Sequence, residues 1–457
     1  MTSTSTWRHP ADLPRVAVIY HSRRGTMHRL AVAAAEGAAA HGAQVRLLRV
    51  ADEGPGPSRP RRHTGADPEH PVASPEDVRW ADGLVLATPT YFGNVSAPFK
   101  RFLDSTSRLW ARGLLADRVV TAMTSAECDY GGREATLLSL YQTAWHWGSW
   151  VLGADLADLP HLSGPGLPRT GGNPYGLSVR YRRGEQVSAP EVEAARAQGA
   201  RLAEFAARTP RLRGLAAPRP MRGPARVTVV HHARHEAVRV LAQECAAGAR
   251  ELGAEVRLRR VPEATTASGG MHSAVKGPPS APPATERDLE WADAVVFGSL
   301  ARLGAPAAAL VDFLQRLPEG VGPLTEKAAS SFVVTPRPHS GSESALLAFH
   351  HLLFHGGAVV APPGYTDPAS LAAGGNPYGS AHALSHGALP GPAALEAVRY
   401  QGQRAAVVGD LLRRTDRAPY RPQVPGTREE LHIEQTQHTK RTQHTQHTQH
   451  IAGKAAS

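Results

Sequence analysis

Short apolar runs alternate along the chain with longer alanine-rich segments. Residues 16–20 (Val-Ala-Val-Ile-Tyr) predict a strand buried on both faces, and residues 26–40 predict a helix that Gly42 is placed to end. Further strands are predicted over 45–50, 83–87, 119–123 and 150–153, with helices through 99–103 and 134–145. Ser188 and Glu191 form a capping box that opens a last helix. This alternation predicts an α/β domain with a parallel sheet.

The same pattern occurs twice in the chain. Three pairs of segments lie 211 residues apart: Arg15–His21 with Arg226–His232, Trp80–Leu86 with Trp291–Phe297, and Phe102–Leu103 with Phe313–Leu314. His146 matches His355 at an offset of 209, and Gly171–Gly176 (Gly-Gly-Asn-Pro-Tyr-Gly) recurs as Gly374–Gly379 at an offset of 203. A period this long indicates a duplicated domain rather than a solenoid.

The repeat predicts two domains, over residues 13–207 and 225–414, joined by an arginine- and proline-rich linker over 208–224. Five arginines and no acidic residue lie between positions 208 and 225, which favours a solvated linker and leaves polyanion binding open. Residues 415–457 are predicted to be a disordered tail rich in His, Gln and Thr. Its spaced histidines leave weak metal binding as the alternative.

The composition of the chain argues against several classes of function. The 457 residues carry 51 basic and 40 acidic side chains, a net charge of +11, yet no nucleic-acid-binding motif accompanies that charge, so we do not expect a nucleic-acid partner. With only 2 cysteines, the chain cannot build a disulfide scaffold or a cysteine-ligated metal centre, and we expect no metal. A mean hydropathy of −0.31 and the absence of an apolar leader predict a cytoplasmic protein without membrane insertion.

The first loop whose residues are suited to binding a ligand is His21–Met27, between the first predicted strand and helix. Ser22 and Thr26 offer hydroxyls, Gly25 permits a tight turn, and the following helix offers free backbone N–H groups. Arg23 and Arg24 add positive charge. Because ligands of open parallel sheets bind at the carboxyl ends of the strands, we interpret this loop as a phosphate cradle.

Two further loops follow strands and are expected at the same edge of the sheet. Residues 88–94 bring Pro89, Tyr91 and Phe92, whose flat apolar faces suit a planar heterocycle. Residues 124–132 bring the backbone of Gly131 and Gly132, which can donate to its polar edge.

These motifs resemble the WrbA-type NAD(P)H:quinone oxidoreductases, a flavodoxin-like family that binds FMN. The resemblance is carried by Thr88–Asn94, Phe102–Gly113, Gly131–Glu134, His146 and Gly171–Gly176, in order, over nearly all of the first domain. It implies two tandem flavodoxin-like domains of α/β class, each a five-stranded parallel sheet with helices on both faces. It also implies two-electron reduction of a quinone by NADH or NADPH through FMN.

Residue by residue, the resemblance assigns the phosphate loop to Ser22, Arg23, Arg24, Gly25, Thr26 and Met27. It assigns the two flavin-ring loops to Pro89, Thr90, Tyr91 and Phe92, and to Ser125, Ala126, Glu127, Cys128, Asp129 and Tyr130. The flavin-side histidine falls on His146 and the substrate-side tryptophan on Trp110, and both are predicted to act in catalysis. His146 can alternatively be a packed core histidine.

Several positions depart from the family pattern. Ala126-Glu127 stands where the family has Thr-Gly, and a carboxylate there disfavours an anionic reduced ring by like-charge repulsion. Arg24 replaces an aromatic residue of the family's loop. Cys128 is read as a small filler residue, with a reactive thiol as the alternative.

The second domain has lost the site residues. Ser22, Gly25 and Thr26 correspond to Ala233, Glu236 and Ala237, and Thr88–Phe92 corresponds to Ser299–Leu303. We therefore predict a degenerate second domain without FMN, retained because fused chains can dimerise and so imitate the family's tetramer. The predicted function is FMN-dependent quinone reduction by the first domain; the alternative is a non-catalytic flavodoxin-like scaffold, binding or regulatory protein.

Overall fold

The computed structural model describes residues 13–52, 70–154, 172–209, 224–232, 234–262, 281–317, 322–384 and 389–413. Most of the predicted linker and the whole tail over 415–457 lie outside the described residues, as does Ala233. We call residues 13–209 the first half and residues 224–413 the second half. No helix in the described ranges combines the length and the apolar character needed to cross a membrane.

The first half alternates strands and helices, as the sequence pattern predicts. Its elements are β1 (Arg15–Tyr20), α1 (Thr26–Ala40), β2 (Gln44–Arg49), α2 (Pro75–Trp80), β3 (Gly83–Pro89), α3 (Ala97–Ser105), α4 (Ser107–Trp110), β4 (Val119–Ala126), α5 (Arg133–His146), β5 (Trp150–Leu152), β6 (Leu177–Arg180) and α6 (Ala189–Ala206). The capping box of Ser188 and Glu191 opens α6. The pattern did not predict α2, α4 or β6.

The second half repeats this series. Its elements are β7 (Arg226–His232), α7 (Glu236–Glu251), β8 (Glu255–Arg260), α8 (Glu286–Trp291), β9 (Ala294–Arg302), β10 (Ala305–Pro306), α9 (Ala308–Gln315), β11 (Ala328–Thr335), α10 (Ser342–His355), β12 (Val359–Val360), α11 (Pro368–Ala372), β13 (Ala381–Ala383) and α12 (Pro392–Arg413). The duplication seen in the sequence is therefore a duplication of structure.

Each half holds a parallel sheet of the expected flavodoxin type. The strand order is β2-β1-β3-β4-β5 in the first half and β8-β7-β9-β11-β12 in the second. In both halves the fifth position is divided: β5 pairs with the start of β4 and β6 with its end, while β12 and β13 divide β11 in the same way. Buried strands such as β1 explain the uninterrupted apolar run at residues 16–20.

Helices cover both faces of the sheet. On one face α1 packs against α6 so closely that a Cβ on Gly37 would lie 1.9 Å from the carbonyl oxygen of Arg196. Gly248 makes the equivalent approach to Arg399 between α7 and α12. Glycine is thus required at the contact of each helix pair, because a side chain would force the backbones apart.

The two halves join edge to edge. β5 and β12 pair antiparallel, with Val151 opposite Val360, so one continuous sheet runs through both halves. Beside this seam α12 reaches the first half: the Arg404 guanidinium lies 2.7 Å from the Asp117 carboxylate and donates to the Gly148 carbonyl at 2.7 Å. Arg201 and Glu326 form the reciprocal pair at 3.9 Å. The halves are therefore related by an approximate two-fold arrangement.

Candidate cofactor site

Three loops of the first half meet at the carboxyl edge of its sheet. They follow β1, β3 and β4, which are neighbours in the sheet, and they enclose a cleft of about 350 Å³. The lining comprises Ser22, Arg23, Arg24, Thr26, Met27, Pro89, Thr90, Tyr91, Phe92, Ser125, Ala126, Glu127, Cys128, Gly131 and Tyr181. This volume and position are typical of a site for a small-molecule cofactor.

The start of α1 is built to receive an anion. Gly25 caps the helix in the left-handed conformation, φ 86°, and its N–H donates to the Ser22 hydroxyl at 3.1 Å. No side chain caps the helix, and its first turn contains no acidic residue. The first-turn N–H groups have no partner within the helix, so they and the helix dipole are available to a phosphate.

Two other helices of the same half begin differently. α2 and α6 each begin with a capping box, in which Ser74 with Asp77 and Ser188 with Glu191 satisfy the first-turn donors. An acid placed at α1 in the same way would repel a phosphate. The residues present at α1 therefore fit the phosphate of FMN.

The loops that follow β3 and β4 are joined directly to each other beside the cleft. The Thr90 N–H donates to the Ser125 carbonyl at 2.8 Å, and the Thr90 and Thr124 hydroxyls lie 2.9 Å apart. Gly132, at φ 84°, approaches Gly93 so closely that a Cβ on it would lie 2.7 Å from the Gly93 Cα. These contacts hold the two loops in fixed relation, so the part of the cleft that they line has a defined shape.

The floor of the cleft is apolar and its mouth is aromatic. Met27 is buried, whereas Tyr91 is 41% exposed and Phe92 is fully exposed. Phe92 also adopts a left-handed backbone, φ 52°, which is strained for a bulky side chain. A planar molecule entering from solvent therefore meets aromatic surface first.

Charged side chains surround the mouth in pairs. Arg23 lies 3.4 Å from Asp52 and its guanidinium carbon lies 5.9 Å from the centre of the Tyr91 ring. Arg24 lies 2.5 Å from Glu127. The Glu127 hydrogen bond raises the pKa of Arg24. Both arginines at the cleft are thus paired with carboxylates, although their side chains stay more than half exposed.

Five predicted site residues lie outside the lining of the cleft. Gly25 shapes the turn without lining it, and Asp129 is drawn away by Arg180 at 3.2 Å. Tyr130 is fully exposed beside the loop. The other two, His146 and Trp110, lie at the seam between the halves.

His146 ends α5, whereas the cleft lies at the start of that helix. Fourteen residues of α-helix separate the two by about 20 Å. His146 Nε2 lies 3.1 Å from the Tyr378 hydroxyl of the second half, and burial lowers its pKa. Trp110 donates to the His146 carbonyl at 2.7 Å and packs edge-on against Tyr365. Neither side chain faces the cleft of its own half, so a site role for them stays a prediction.

One lining residue, Tyr181, is absent from the sequence-based assignment, whereas Gly131 was expected there as a backbone donor to the ring. Tyr181 comes immediately after β6. Tyr181 had a recognisable signal, since it ends a strand at the same sheet edge as the other loops. That strand was not predicted because only four residues, 177–180, belong to it.

The second half closes the equivalent positions. His235 caps α7 and its Nδ1 accepts the Ala237 N–H at 3.1 Å, while Glu236 lies in the first turn. β9 continues through the counterpart of Thr88–Tyr91, and its end pairs with β10 across Leu303 and Gly304. A capped, acidic helix start thus replaces the open one, and Ser299–Leu303 bring no aromatic side chain to the positions of Thr88–Phe92. The two-residue turn itself is common to both halves, since Tyr91 and Asn94 pair across Phe92 and Gly93 in the same way.

Comparison with known proteins finds a family match in both halves of the chain. The family model described as NADPH-dependent FMN reductase matches residues 14–159 and 233–369, one match in each half. A solved WrbA-like flavodoxin from Agrobacterium tumefaciens is 26% identical, covering 43% of this chain and 99% of that chain, with a TM-score of 0.31.

Two relatives match a region the length of one half. An NAD(P)H dehydrogenase (quinone) of Deinococcus radiodurans is 37% identical over 170 residues, which is 36% of this chain and 82% of the relative. A protein of the same name from Cupriavidus metallidurans is 37% identical over 196 residues, which is 42% of this chain and 98% of the relative.

Proposed function

Because this chain belongs to the NADPH-dependent FMN reductase family, we propose that it is an FMN-dependent NAD(P)H:quinone oxidoreductase whose cofactor binds in the first-half cleft. The observation that carries the proposal is the meeting of three loops around one cleft, which has an uncapped helix start in its lining and aromatic side chains at its mouth. The printed name of the relatives, NAD(P)H dehydrogenase (quinone), supports the same reaction.

Each part of the cleft has a defined task in this proposal. Ser22, Thr26 and the first-turn N–H groups of α1 bind the phosphate. Pro89–Phe92 on one side and Ser125–Cys128 on the other hold the ring. FMN, when bound, supplies the two-electron chemistry that links NAD(P)H to the quinone.

The open, aromatic mouth gives the substrates access. Tyr91 and Phe92 present ring surface to solvent, and such surface can stack a nicotinamide or a quinone. Both substrates are flat, so one exposed face can serve them in turn. The cytoplasm, which supplies NAD(P)H and keeps the thiols of Cys128 and Cys245 reduced, is the compartment we propose.

The second half is proposed to act as a structural partner without FMN, since its helix start is capped and acidic. The seam residues His146 and Trp110 act in this account through assembly, where the seam of one chain approaches the cleft of another. The expected assembly is a dimer of chains, which presents four flavodoxin-like units.

The test is steady-state oxidation of NADH and of NADPH with 1,4-benzoquinone by the FMN-reconstituted chain, with two matched variants. G25D and G25N both place a side chain that tolerates a left-handed backbone at Gly25, where nothing lies within 4 Å, but only aspartate adds a negative charge. We expect G25D to lose FMN affinity at least about tenfold more than G25N, because its carboxylate repels the phosphate.

Two results would contradict the proposal. Turnover that is absent although FMN is bound would favour a non-catalytic binding or regulatory protein. Equal FMN affinity in G25D and G25N would place the phosphate elsewhere in the chain.

A further inference from the structure

The ion pair of Arg24 and Glu127 spans the mouth of the cleft. Arg24 belongs to the loop after β1 and Glu127 to the loop after β4, so the pair joins residues 103 positions apart in sequence. The Arg24 Nη1 and Glu127 Oε1 atoms are 2.5 Å apart, and both residues line the cleft. We call them the rim pair.

Exposure places the rim pair above the cleft rather than inside it. The Arg24 side chain is 58% exposed and the Glu127 side chain 70% exposed, whereas Met27 and Ser125 beneath them are buried. The cleft keeps its volume of about 350 Å³ with the pair formed. The pair therefore bridges the opening and leaves the space beneath it free.

A third residue fixes the position of the bridge. The Arg24 guanidinium carbon lies 4.9 Å from the centre of the Tyr181 ring, a cation–π distance. Tyr181 is itself held to the ring loop, since its N–H donates to the Ala126 carbonyl at 2.7 Å. Arg24 is thus held on two sides by the loop that carries Glu127.

The two members of the pair place opposite charges beside the ring loop. Glu127 alone would put an uncompensated carboxylate beside the ring loop, and two-electron reduction of a bound flavin would then work against its charge. Arg24 alone would add an uncompensated cation. Because they face each other, their charges cancel at the mouth of the cleft.

We propose that the rim pair positions the cofactor, by tying the phosphate loop to the ring loop across the cleft mouth, and that Arg24 cancels the effect of the Glu127 charge on cofactor reduction. This inference rests on the proposed function, because it requires FMN in the first-half cleft. Arg24 and Glu127 are positioning residues in this account.

The two single variants should shift the midpoint potential of bound FMN in opposite directions, and both should release FMN faster. R24M leaves the Glu127 carboxylate uncompensated, so the midpoint potential of bound FMN becomes more negative. E127Q leaves the Arg24 cation, so the potential becomes more positive. Both variants break the bridge, so both release FMN about two- to fivefold faster, the range expected for an exposed ion pair.

The experiment measures the reduction potential of the FMN-loaded chain by anaerobic dithionite titration against a reference dye, and FMN release by fluorescence recovery on dilution. The variants are R24M, E127Q and the double variant R24M/E127Q. R182M is the matched control, because Arg182 forms an exposed ion pair with Glu185 and does not line the cleft.

The proposed role of the rim pair predicts how the double variant and the control should behave. The double variant returns to a potential near that of the wild type and releases FMN no faster than either single variant, because the second substitution removes nothing further. R182M matches the wild type in both measurements. High salt speeds release from the wild type and has a smaller effect on the double variant.

Failure takes two distinguishable forms. In the first form, all FMN-loaded variants have the same midpoint potential, and the effect of the double variant on the FMN release rate is the product of the two single effects. This result would overturn the role of the rim pair and leave the proposed function intact. A wild-type chain that takes up no FMN would overturn the proposed function, and the rim pair with it.

Discussion

Glycines at the edge of the cleft decide how closely its loops approach. Gly132 begins α5 at φ 84° and touches the backbone of Gly93, so both its conformation and its missing side chain are required. Gly42, at φ 82° after α1, adopts the same conformation with open space around it. Comparing the same substitution at the two positions therefore separates the free-energy cost of the left-handed backbone from the cost of steric contact.

G132A is therefore expected to cost more than G42A. Alanine in a left-handed conformation costs about 1 kcal/mol at either position. Only at Gly132 does the new Cβ also collide with Gly93, which displaces the loop that carries Tyr91 and Phe92. Urea denaturation and FMN titration of both variants give the comparison. Equal affinities for FMN would show that this contact does not shape the cleft.

His350 is a fully buried imidazole at the seam. Its ring lies 4.3 Å from that of Trp145 and its Nε2 lies 3.0 Å from the Tyr378 carbonyl oxygen. Burial lowers the pKa of His350 to about 3, far below the value of about 6.5 for a histidine in an unfolded chain. The folded protein therefore holds this side chain neutral.

The sign of the resulting pH dependence follows from these two values. Below about pH 6.5 the unfolded chain binds a proton that the folded chain does not, so the free energy of unfolding falls as the pH falls, by up to about 1.4 kcal/mol per pH unit. H350F removes this contribution, although it also loses a hydrogen bond at every pH. Denaturation between pH 7.5 and 5 should show a shallower decline for H350F; parallel curves would be contrary to the account.

At the scale of elements, α12 ties the second half to the first. Arg404 on this helix is almost fully buried and is satisfied by three acceptors: the Asp117 carboxylate and the carbonyls of Gly148 and Pro362. Arg399 on the same helix pairs with Glu244 and Glu251 near the surface of the second half. The helix α12 thus carries one buried and one more exposed arginine, and each is paired with at least one carboxylate.

R404M is expected to destabilise the protein by about 3 kcal/mol, the lower end of the range for breaking a buried ion pair, because it leaves the Asp117 carboxylate, which is only 18% exposed, without its partner. R399M is expected to cost less than about 1 kcal/mol, since both of its partners remain solvated. Thermal unfolding of the two variants measures the difference. A melting temperature as low for R399M as for R404M would mean that burial at the seam is not what matters.

The sequence shows the elements of the fold much better than it shows their contacts. Periodicity locates β1 and α1 because each buries a continuous apolar face. It misses β6 because this strand is only four residues long. The loops of the cleft were predictable because strand ends of a parallel sheet converge. The positions of His146 and Trp110 were not, because they depend on the packing of α5 against the second half.

At the scale of the whole molecule, two equivalent loop tips remain exposed. Phe92 and Leu303, 211 residues apart, are both fully exposed and both adopt a left-handed backbone, φ 52° and 54°. Strained backbone is typical of functional positions, and a fully exposed apolar side chain gains free energy when another surface buries it. Phe92 has a task at the cleft mouth, so we expect the Leu303 tip to lie in the interface of the proposed dimer of chains.

L303S is expected to weaken that dimer, because it removes an apolar contact in the half without the cofactor site. Leu389 is also exposed, at 54%, and L389S serves as the control. Light scattering over a micromolar concentration series should give twice the chain mass of 48.6 kDa for the wild type and L389S. A wild type that stays monomeric would contradict the proposed assembly.

The central claim is that one half of the chain binds FMN and the other supports it. The most direct test is the visible absorption spectrum of the chain after reconstitution with FMN, with flavin quantified per chain and its anaerobic bleaching by NADH or NADPH recorded. We predict one FMN per chain, bleached by a reduced nicotinamide cofactor. Two FMN per chain would show that the second half still binds it, and a folded chain without FMN would contradict the account altogether.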